Sequence, residues 1–179
     1  NMGVRAARGD ILVFLDADGI PRPDWLARVA AWFEEPDVAV VGGAVGVDWD
    51  EPYWTACDNA GMVYQFLPSA PAGERLHLTS FNLAVRRCVL ERVGLFDETF
   101  PRPAGEDTEL TTRLRLAGHT LFFDPYLVAT HRQSRGSCRA AMRKAWTLGY
   151  YSARVDRRYA RHLGFPTLLL NPWALRLAA

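Results

Sequence analysis

Two nearly unbroken apolar runs constrain the fold of this chain more than any other feature of its sequence. The segments DILVFLDAD (10–18) and DVAVVGGAVGV (37–47) are apolar or glycine apart from aspartates at their ends. Strands of this kind are covered on both faces, as in the largely parallel sheets of α/β proteins. Between them, apolar residues recur at helical spacing after Asp24, and Pro36 follows the helix. Strand, helix and strand in this order predict a crossover unit of an α/β sheet.

Length and composition fit one globular domain with a sizeable core, since 49% of the 179 residues are hydrophobic. The three cysteines are odd in number and far apart, so we expect reduced thiols in a cytoplasmic protein. The start NMGVRAARGD lacks the apolar stretch of a signal peptide and leads directly into a strand. We therefore expect the chain to begin inside a domain whose earlier strands precede Asn1.

The rest of the chain continues the alternation of strands and helices. Glycines at 94 and 118 end two of the predicted helices, and the pair Gly42 and Gly43 predicts a bulge or a close backbone approach in the second strand. The predicted elements are a short helix in 53–67, a strand in 77–87, a short helix in 86–94, a helix in 105–119, a strand pair in 120–131 and a basic, aromatic helix from 138.

The first apolar run ends on two carboxylates, Asp16 and Asp18, followed by a glycine. Phosphatases of the haloacid-dehalogenase type use the first aspartate of such a pair as a nucleophile, whereas metal-dependent glycosyltransferases hold a divalent cation with it. The phosphatase also needs a Ser or Thr, then a Lys and later carboxylates for magnesium. This chain has one lysine, Lys144, and one later acid, Asp156, so the phosphatase lacks its remaining parts.

Glycosyl transfer needs a second carboxylate to accept the proton of the acceptor hydroxyl. The segment AGEDTEL offers Glu106 and Asp107 beside a helix start, after a loop rich in Pro and Gly. His131, at a predicted strand end, is suited to complete a metal shell or to contact phosphate. The residues alone also allow simpler roles: Asp107 as a helix cap and His131 as a hydrogen-bonded rim residue.

An ordered series of motifs from Asn1 to about His131 resembles glycosyltransferase family 2. The motifs are N-x-G-x-x-x-A-x-G, FLDAD, PDWL, VVGG, NLAVRR, VGLFDE, GEDTELTTRLRLAG and DPYLVATH. The resemblance implies a partial GT-A (Rossmann-like) mixed α/β sheet flanked by helices in 1–131, without the nucleoside-binding part, and a basic helical extension in 132–179. It implies inverting transfer from a nucleotide-diphosphate-sugar with Mg²⁺ or Mn²⁺, and we expect residues 1–179 alone to bind that donor poorly.

The resemblance also implies roles for single residues. The zone HRQSRGSCRAA lacks the Q-x-x-R-W signature of processive relatives, so we expect non-processive transfer. By this resemblance, Asp16 and Asp18 form the motif that binds the metal and the diphosphate, and His131 contacts the metal or the diphosphate. Asp107 is the general base, and Glu106 positions the acceptor. Asn82 and Arg86 line the donor–acceptor side.

Charge is distributed unevenly along the chain. Residues 132–179 hold ten basic residues and one acid, a net charge of +9, whereas residues 1–131 carry −8. Such a segment predicts an anionic neighbour, here a glycan or lipid-phosphate acceptor and an anionic membrane surface at the inner face of the cell membrane. Nucleic acid is not expected, because no nucleic-acid motif accompanies the charge. The predicted positive stripe consists of Arg132, Arg135, Arg139, Arg143 and Lys144.

Two other functions remain open from the sequence. A nucleotidyltransferase of similar α/β fold also uses metal-bound carboxylates, but it would need a nucleotide-gripping loop before the first run. A catalytically inactive, glycosyltransferase-like binding module would keep the motifs without using them.

Overall fold

The computed structural model describes residues 1–47, 53–55, 57, 63–132 and 137–163. A mixed sheet flanked by helices forms its centre, which confirms the predicted fold class. The strands are β1 (Ile11–Leu15), β2 (Gly19–Pro21), β3 (Val40–Val47), β4 (Gly73–Glu74), β5 (Asn82–Arg86) and β6 (Leu121–His131). The helices are α1 (Met2–Ala6), α2 (Trp25–Trp32), α3 (Arg87–Val93), α4 (Glu106–Leu116) and α5 (Cys138–Leu163), with a 3₁₀ turn at Tyr64–Phe66.

The order of the strands brings several chain segments to one edge of the sheet. The order is β1-β5-β3-β6-β2, and β4 also pairs with β6. Because β5 is antiparallel to both β1 and β3, and β6 is parallel to β3, strands β1, β3 and β6 all end at the same edge. Strand β5 begins there, since Asn82 pairs with Leu15. We call this the carboxyl edge.

The core is centred on β3, which is buried along nearly its whole length. Its register with β6 shifts after Gly43, which pairs with Asp124, because the next residue, Ala44, pairs with Val128. Residues 125–127 therefore bulge out of β6. The bulge confirms the irregularity predicted at the paired glycines, and it replaces the strand pair predicted in 120–131 by one long strand.

Other predicted elements differ in extent. The strand expected in 77–87 covers only Asn82–Arg86, and the helix expected in 53–67 lies partly outside the described residues. Asp24 stands at the start of α2 as predicted, but its carboxylate pairs with Arg28 at 2.7 Å instead of capping the helix. In the part of the chain that the structure describes, no helix is long and apolar enough to cross a membrane.

We expect Gly43→Ala to lower the free energy of unfolding by about 1–3 kcal/mol, the usual cost of overpacking. A Cβ at this position would collide with the carbonyl oxygen of Leu127 and the side chain of Asn82. Gly3→Ala is the matched control, because a Cβ there meets nothing within 4 Å and alanine favours its helix. Urea denaturation measures both variants. Equal stability of the Gly43 variant and the parent protein would contradict the close approach of β3 and β6.

Candidate active site

The D-x-D segment forms a tight turn at the carboxyl edge. Strand β1 ends at Leu15, and the N–H of Gly19 donates to the backbone oxygen of Asp16 at 2.9 Å. The turn leads into β2, whose first residue, Gly19, pairs with His131 at the end of β6. The backbone pairing of β2 with β6 therefore holds the two aspartates against this histidine.

Asp18 and His131 form the closest pair of metal-ligand types at this edge. The Nε2 atom of His131 lies 3.4 Å from Oδ2 of Asp18. The ring of Phe81 packs edge-on against the imidazole at 4.8 Å, and the N–H of Arg132 donates to the backbone oxygen of Asp18 at 3.0 Å. The Asp18 side chain is 43% exposed, so ligands from solvent or substrate can reach the pair.

Asp16 is close to this pair but has a different environment. Partial desolvation raises its pKa, and the charges of Asp18 and, more weakly, Asp107 add to the rise, whereas His131 and Lys144 oppose it. Among the described residues, no group of three His, Cys, Asp or Glu side chains is arranged to hold a metal ion. Of the predicted metal shell, the structure brings Asp18 and His131 into a close pair and places Asp16 beside it.

The acidic doublet lies at the start of α4, on the same edge. Gly105 precedes the helix with φ 83°, a left-handed conformation that favours glycine. Asp107 accepts through Oδ1 from the N–H of Thr108 at 2.7 Å and through Oδ2 from the N–H of Ser80 at 3.4 Å. Ser80 stands just before β5, which ties Asp107 to the carboxyl edge. The N-cap position belongs to Gly105, but Asp107 accepts from a first-turn N–H, so it helps to satisfy the start of the helix, as the sequence allowed.

Glu106 carries an unpaired carboxylate oxygen. Its Oε2 is buried and has no hydrogen-bond partner among the described residues. Burial raises the pKa of Glu106, and the charge of Asp107 adds to the rise. A buried oxygen without a partner costs free energy unless a ligand supplies a donor. Glu106 and Asp16 both line a cavity of about 450 Å³, together with Ser80 and the rings of Phe96 and Phe100.

Helix α5 fastens the loop that carries the acidic doublet. Lys144 Nζ donates to the carbonyl of Pro103 at 3.2 Å, and its charge opposes the rise in the pKa of both Asp16 and Glu106. Arg154 donates to Thr99, at 3.0 Å to its carbonyl and 2.7 Å to its hydroxyl. Lys144 was predicted as part of an exposed positive stripe, and the structure instead turns it toward the site.

A buried ionic network supports the same loop from below. Glu109 is fully buried and accepts two hydrogen bonds from Nε and Nη2 of Arg113 at 2.9 and 2.8 Å and one from the hydroxyl of Tyr159 at 2.5 Å. Burial and this carboxylate raise the pKa of Tyr159 to about 12. Arg113 also donates to the carbonyl of Leu95 at 2.7 Å. This network was not predicted from the sequence, although the i, i+4 spacing of Glu109 and Arg113 is a visible signal for their pairing.

Two residues predicted to line the donor–acceptor side have structural roles instead. The Asn82 side chain is buried and donates to the carbonyls of Ala44 and Leu127 at 3.0 and 2.8 Å, while its oxygen accepts from the Trp25 indole at 3.0 Å. Arg86 pairs with Ile11 at the opposite end of β5, about 13 Å away by strand geometry. Its guanidinium donates to the carbonyls of Phe33, Glu35 and Val38. The structure thus gives both side chains backbone partners, and it does not bring Arg86 to the carboxyl edge.

The two predicted arginines after β6 have different outcomes. Arg132 is exposed and adjoins Asp18 through its backbone, so the structure brings it to the site. Arg135 lies outside the described residues.

Comparison with known families decides which family the chain belongs to. The family model that is described as glycosyl transferase family group 2 matches residues 11–179 of this chain. The chain belongs to this family. The result confirms the resemblance read from the ordered motifs.

Curated relatives in family group 2 extend well beyond the aligned part. The pre-mycofactocin glycosyltransferase of Mycobacterium tuberculosis is 30% identical over 136 residues, 73% of this chain and 28% of that protein. Glycosyltransferase AglE of Haloferax volcanii is 30% identical over 131 residues, 73% of this chain and 42% of AglE. The succinoglycan biosynthesis protein ExoM of Rhizobium meliloti is 31% identical over 120 residues, 65% of this chain and 38% of ExoM. The chain thus spans less than half the length of these relatives.

Two solved structures show the same fold. A crystal structure of GalNAc-T7 with UDP, GalNAc and Mn²⁺ matches with a TM-score of 0.58 and 16% identity, over 90% of this chain and 37% of that one. The Staphylococcus aureus TarS structure matches with a TM-score of 0.56 and 16% identity, over 92% of this chain and 30% of TarS. These likenesses confirm the predicted GT-A fold for this member of family group 2.

Replacement of Glu106 by Gln is expected to raise the melting temperature at pH 7 by about 2 °C or more. Burial raises the folded pKa of Glu106 above its ordinary 4.5, so the folded protein holds this proton more tightly than the unfolded chain. The stability contributed by the protonated group is therefore lost as pH rises through the folded pKa. Differential scanning calorimetry should show the advantage of Gln at pH 7 and its disappearance well below pH 4.5. The exposed Glu34→Gln is the control, and a uniform gain at every pH would contradict the assignment.

Proposed function

We propose that this chain carries the metal- and acceptor-binding part of an inverting glycosyltransferase. The enzyme would move a sugar from a nucleotide-diphosphate-sugar to an acceptor hydroxyl, one sugar at a time. One observation carries the proposal: the D-x-D turn with His131 and the acidic doublet share the carboxyl edge, close enough for the Asp107 charge to raise the pKa of Asp16. A cation ligand and a proton acceptor on two sides of one hollow are what this reaction requires.

Asp18 and His131 suit a divalent cation as a pair. A carboxylate oxygen and an imidazole nitrogen 3.4 Å apart, with the carboxylate exposed, leave positions for diphosphate oxygens and water, as Mg²⁺ and Mn²⁺ sites in phosphate-handling enzymes do. A bound cation there would neutralise the charge that develops on the departing nucleoside diphosphate. GalNAc-T7, which shares the fold, is described with Mn²⁺, and this is consistent with the proposed cation.

Asp107 is the proposed general base. Backbone N–H groups of Ser80 and Thr108 hold its carboxylate, and the remaining lone pairs are available to an acceptor hydroxyl. The hydroxyl oxygen forms a bond to the anomeric carbon as the bond to the diphosphate breaks, and its proton passes to Asp107. Glu106, through its unpaired Oε2, would orient the acceptor by accepting a hydrogen bond from it. Direct displacement of this kind inverts the anomeric centre.

The acceptor is proposed to be a glycan or a lipid-linked phosphate of the cell envelope, reached from the inner face of the membrane. The names of the relatives support this class: ExoM is a succinoglycan biosynthesis protein, and a further relative from Haloferax volcanii, 28% identical over 110 residues, is a glucosyl-dolichyl phosphate glucuronosyltransferase. Exposed Arg132, next to Asp18, is suited to contact phosphate oxygens of donor or acceptor.

In the full-length protein, Asp107→Asn should lower kcat by about 10²–10⁴-fold, the usual contribution of a general base. The KM for the donor should change little, because Asn keeps the shape of the side chain and its oxygen still accepts from the N–H of Thr108. The amide nitrogen in place of Oδ2 gives up only the long contact with the N–H of Ser80. Sugar transfer is followed with a radiolabelled donor. Asp37→Asn, an exposed acid before β3, is the matched control. Full activity of the Asp107 variant would remove Asp107 from the role of general base, whereas a parent protein without sugar transfer would favour an inactive binding module.

Removal of the cation with EDTA should abolish transfer, and added Mn²⁺ or Mg²⁺ should restore it. We expect His131→Ala to raise the Mn²⁺ concentration for half-maximal activity by at least the 10–100-fold that loss of a supporting residue costs at metal sites. His162→Ala, at the exposed end of α5, should leave this concentration unchanged. Transfer that is insensitive to EDTA would remove the cation from the proposal.

A further inference from the structure

One side of α5 packs against the protein, and the other side is exposed. Tyr151 and Val155 are buried on the inner side, where Lys144 also contacts the loop before α4. On the other side, the i, i+4 series Met142, Trp146 and Tyr150 is 67%, 71% and 58% exposed. A surface helix normally turns polar side chains to solvent. Here the most exposed row is apolar and aromatic, and it covers nothing in the described part of the chain.

Arginines flank this apolar row. Arg139, Arg143 and Arg157 fall on the same side by helical spacing, and all three are exposed. Within the described residues, none of their side chains makes a hydrogen bond or an ion pair, and the one acid of the helix, Asp156, is buried. We call the six residues Arg139, Met142, Arg143, Trp146, Tyr150 and Arg157 the outer face. It extends over roughly 27 Å of helix.

We propose that the outer face docks on the surface of an anionic lipid bilayer, with α5 lying in the plane of the membrane. Trp and Tyr side chains favour the headgroup level, where the ring is partly desolvated and the polar atom stays hydrated. Helices rich in basic residues and in aromatic residues bind at this depth without crossing the bilayer. The arginines match the negative charge of anionic headgroups.

Charge favours a membrane over a second copy of the chain as the occupant. A two-fold contact through the outer face would bring like-charged arginines from two copies together with no acid to pair them. Nucleic acid is the competing polyanion. It would match the arginines, but it would leave Met142 in water, whereas a bilayer accommodates the arginines and the apolar row together.

Docking through the outer face leaves the other contacts of α5 intact. Lys144, Arg154 and Arg158 reach the loop between α3 and α4 from the inner side, so the lipid contact and the loop contact use different side chains. The proposal does not depend on sugar transfer, and its test uses no activity.

Vesicle flotation of the full chain tests the proposal. Vesicles of phosphatidylcholine with about 30% phosphatidylglycerol supply the negative surface, and pure phosphatidylcholine vesicles are the neutral arm. We expect binding to the anionic vesicles, weaker in 1 M salt because screening removes the charge term. The triple variant Arg139→Gln, Arg143→Gln, Arg157→Gln should lose roughly a hundredfold in partitioning, because it removes three positive charges that each attract the anionic surface. Trp146→Ser with Tyr150→Ser should lose about tenfold.

Matched controls separate docking from general surface effects. Arg92→Gln and Leu26→Ser remove an exposed cation and a 68% exposed apolar side chain elsewhere, and both should float like the parent protein. Circular dichroism and melting temperature establish that each variant is folded. Brominated lipids should quench part of the tryptophan fluorescence, and Trp146→Phe should still float while losing that quenched part.

Three results would overturn the proposal. The first is equal flotation of the parent protein and the outer-face variants. The second is the absence of vesicle binding together with binding to a DNA oligonucleotide that the triple arginine variant loses. The third is the absence of vesicle binding together with a concentration-dependent dimer, seen by light scattering, that the Trp146→Ser, Tyr150→Ser variant abolishes.

Discussion

The parallel pairing of β3 with β6 is the constraint on which the candidate site depends. It places the ends of β1, β3 and β6 at one edge, and the register shift after Gly43 sets where β6 ends. Asn82 closes the gap that the bulge opens, because its amide donates to the carbonyls of Ala44 on β3 and Leu127 on β6. Without these two bonds, buried backbone oxygens would lack partners. The side chain expected to contact substrate therefore builds the edge on which the site stands.

Several charged and polar contacts hold the loop before α4 to the rest of the protein. Arg158 reaches Asp97 at 2.6 Å, and the hydrogen bonds of Thr99, followed by that of Arg158, lower the pKa of Asp97 to about 2. Beneath the loop, buried Glu109 has its charge compensated by Arg113 and a tyrosine hydroxyl. A loop fixed in this way can keep Glu106 and Asp107 in a partly desolvated place, although the charged carboxylates alone would favour full contact with water.

Patterns along the chain predicted the elements and the location of the site better than the role of each side chain. Apolar runs indicate buried strands because both faces must be covered, and the family resemblance carried by the motif order assigned Asp16, Asp18, Asp107 and His131 to one site. The strand predicted in 77–87 already sets Asn82 and Arg86 four positions apart, about 13 Å along the strand. A shared lining role for the two residues therefore conflicted with the predicted element. The direction of the Lys144 side chain depends on how α5 is rotated about its axis, and no local sequence pattern predicts that rotation.

The acids at the carboxyl edge explain why a cation belongs in the proposed reaction. Asp16, Asp18, Glu106 and Asp107 lie near one another, and the charge of one raises the pKa of another. Lys144 opposes this effect only in part, since the pKa values of Asp16 and Glu106 remain raised. A diphosphate would have to approach against the same negative charge. A divalent ion held by Asp18 and His131 would turn that repulsion into attraction. Without such an ion, the four acids would repel the diphosphate of the proposed donor.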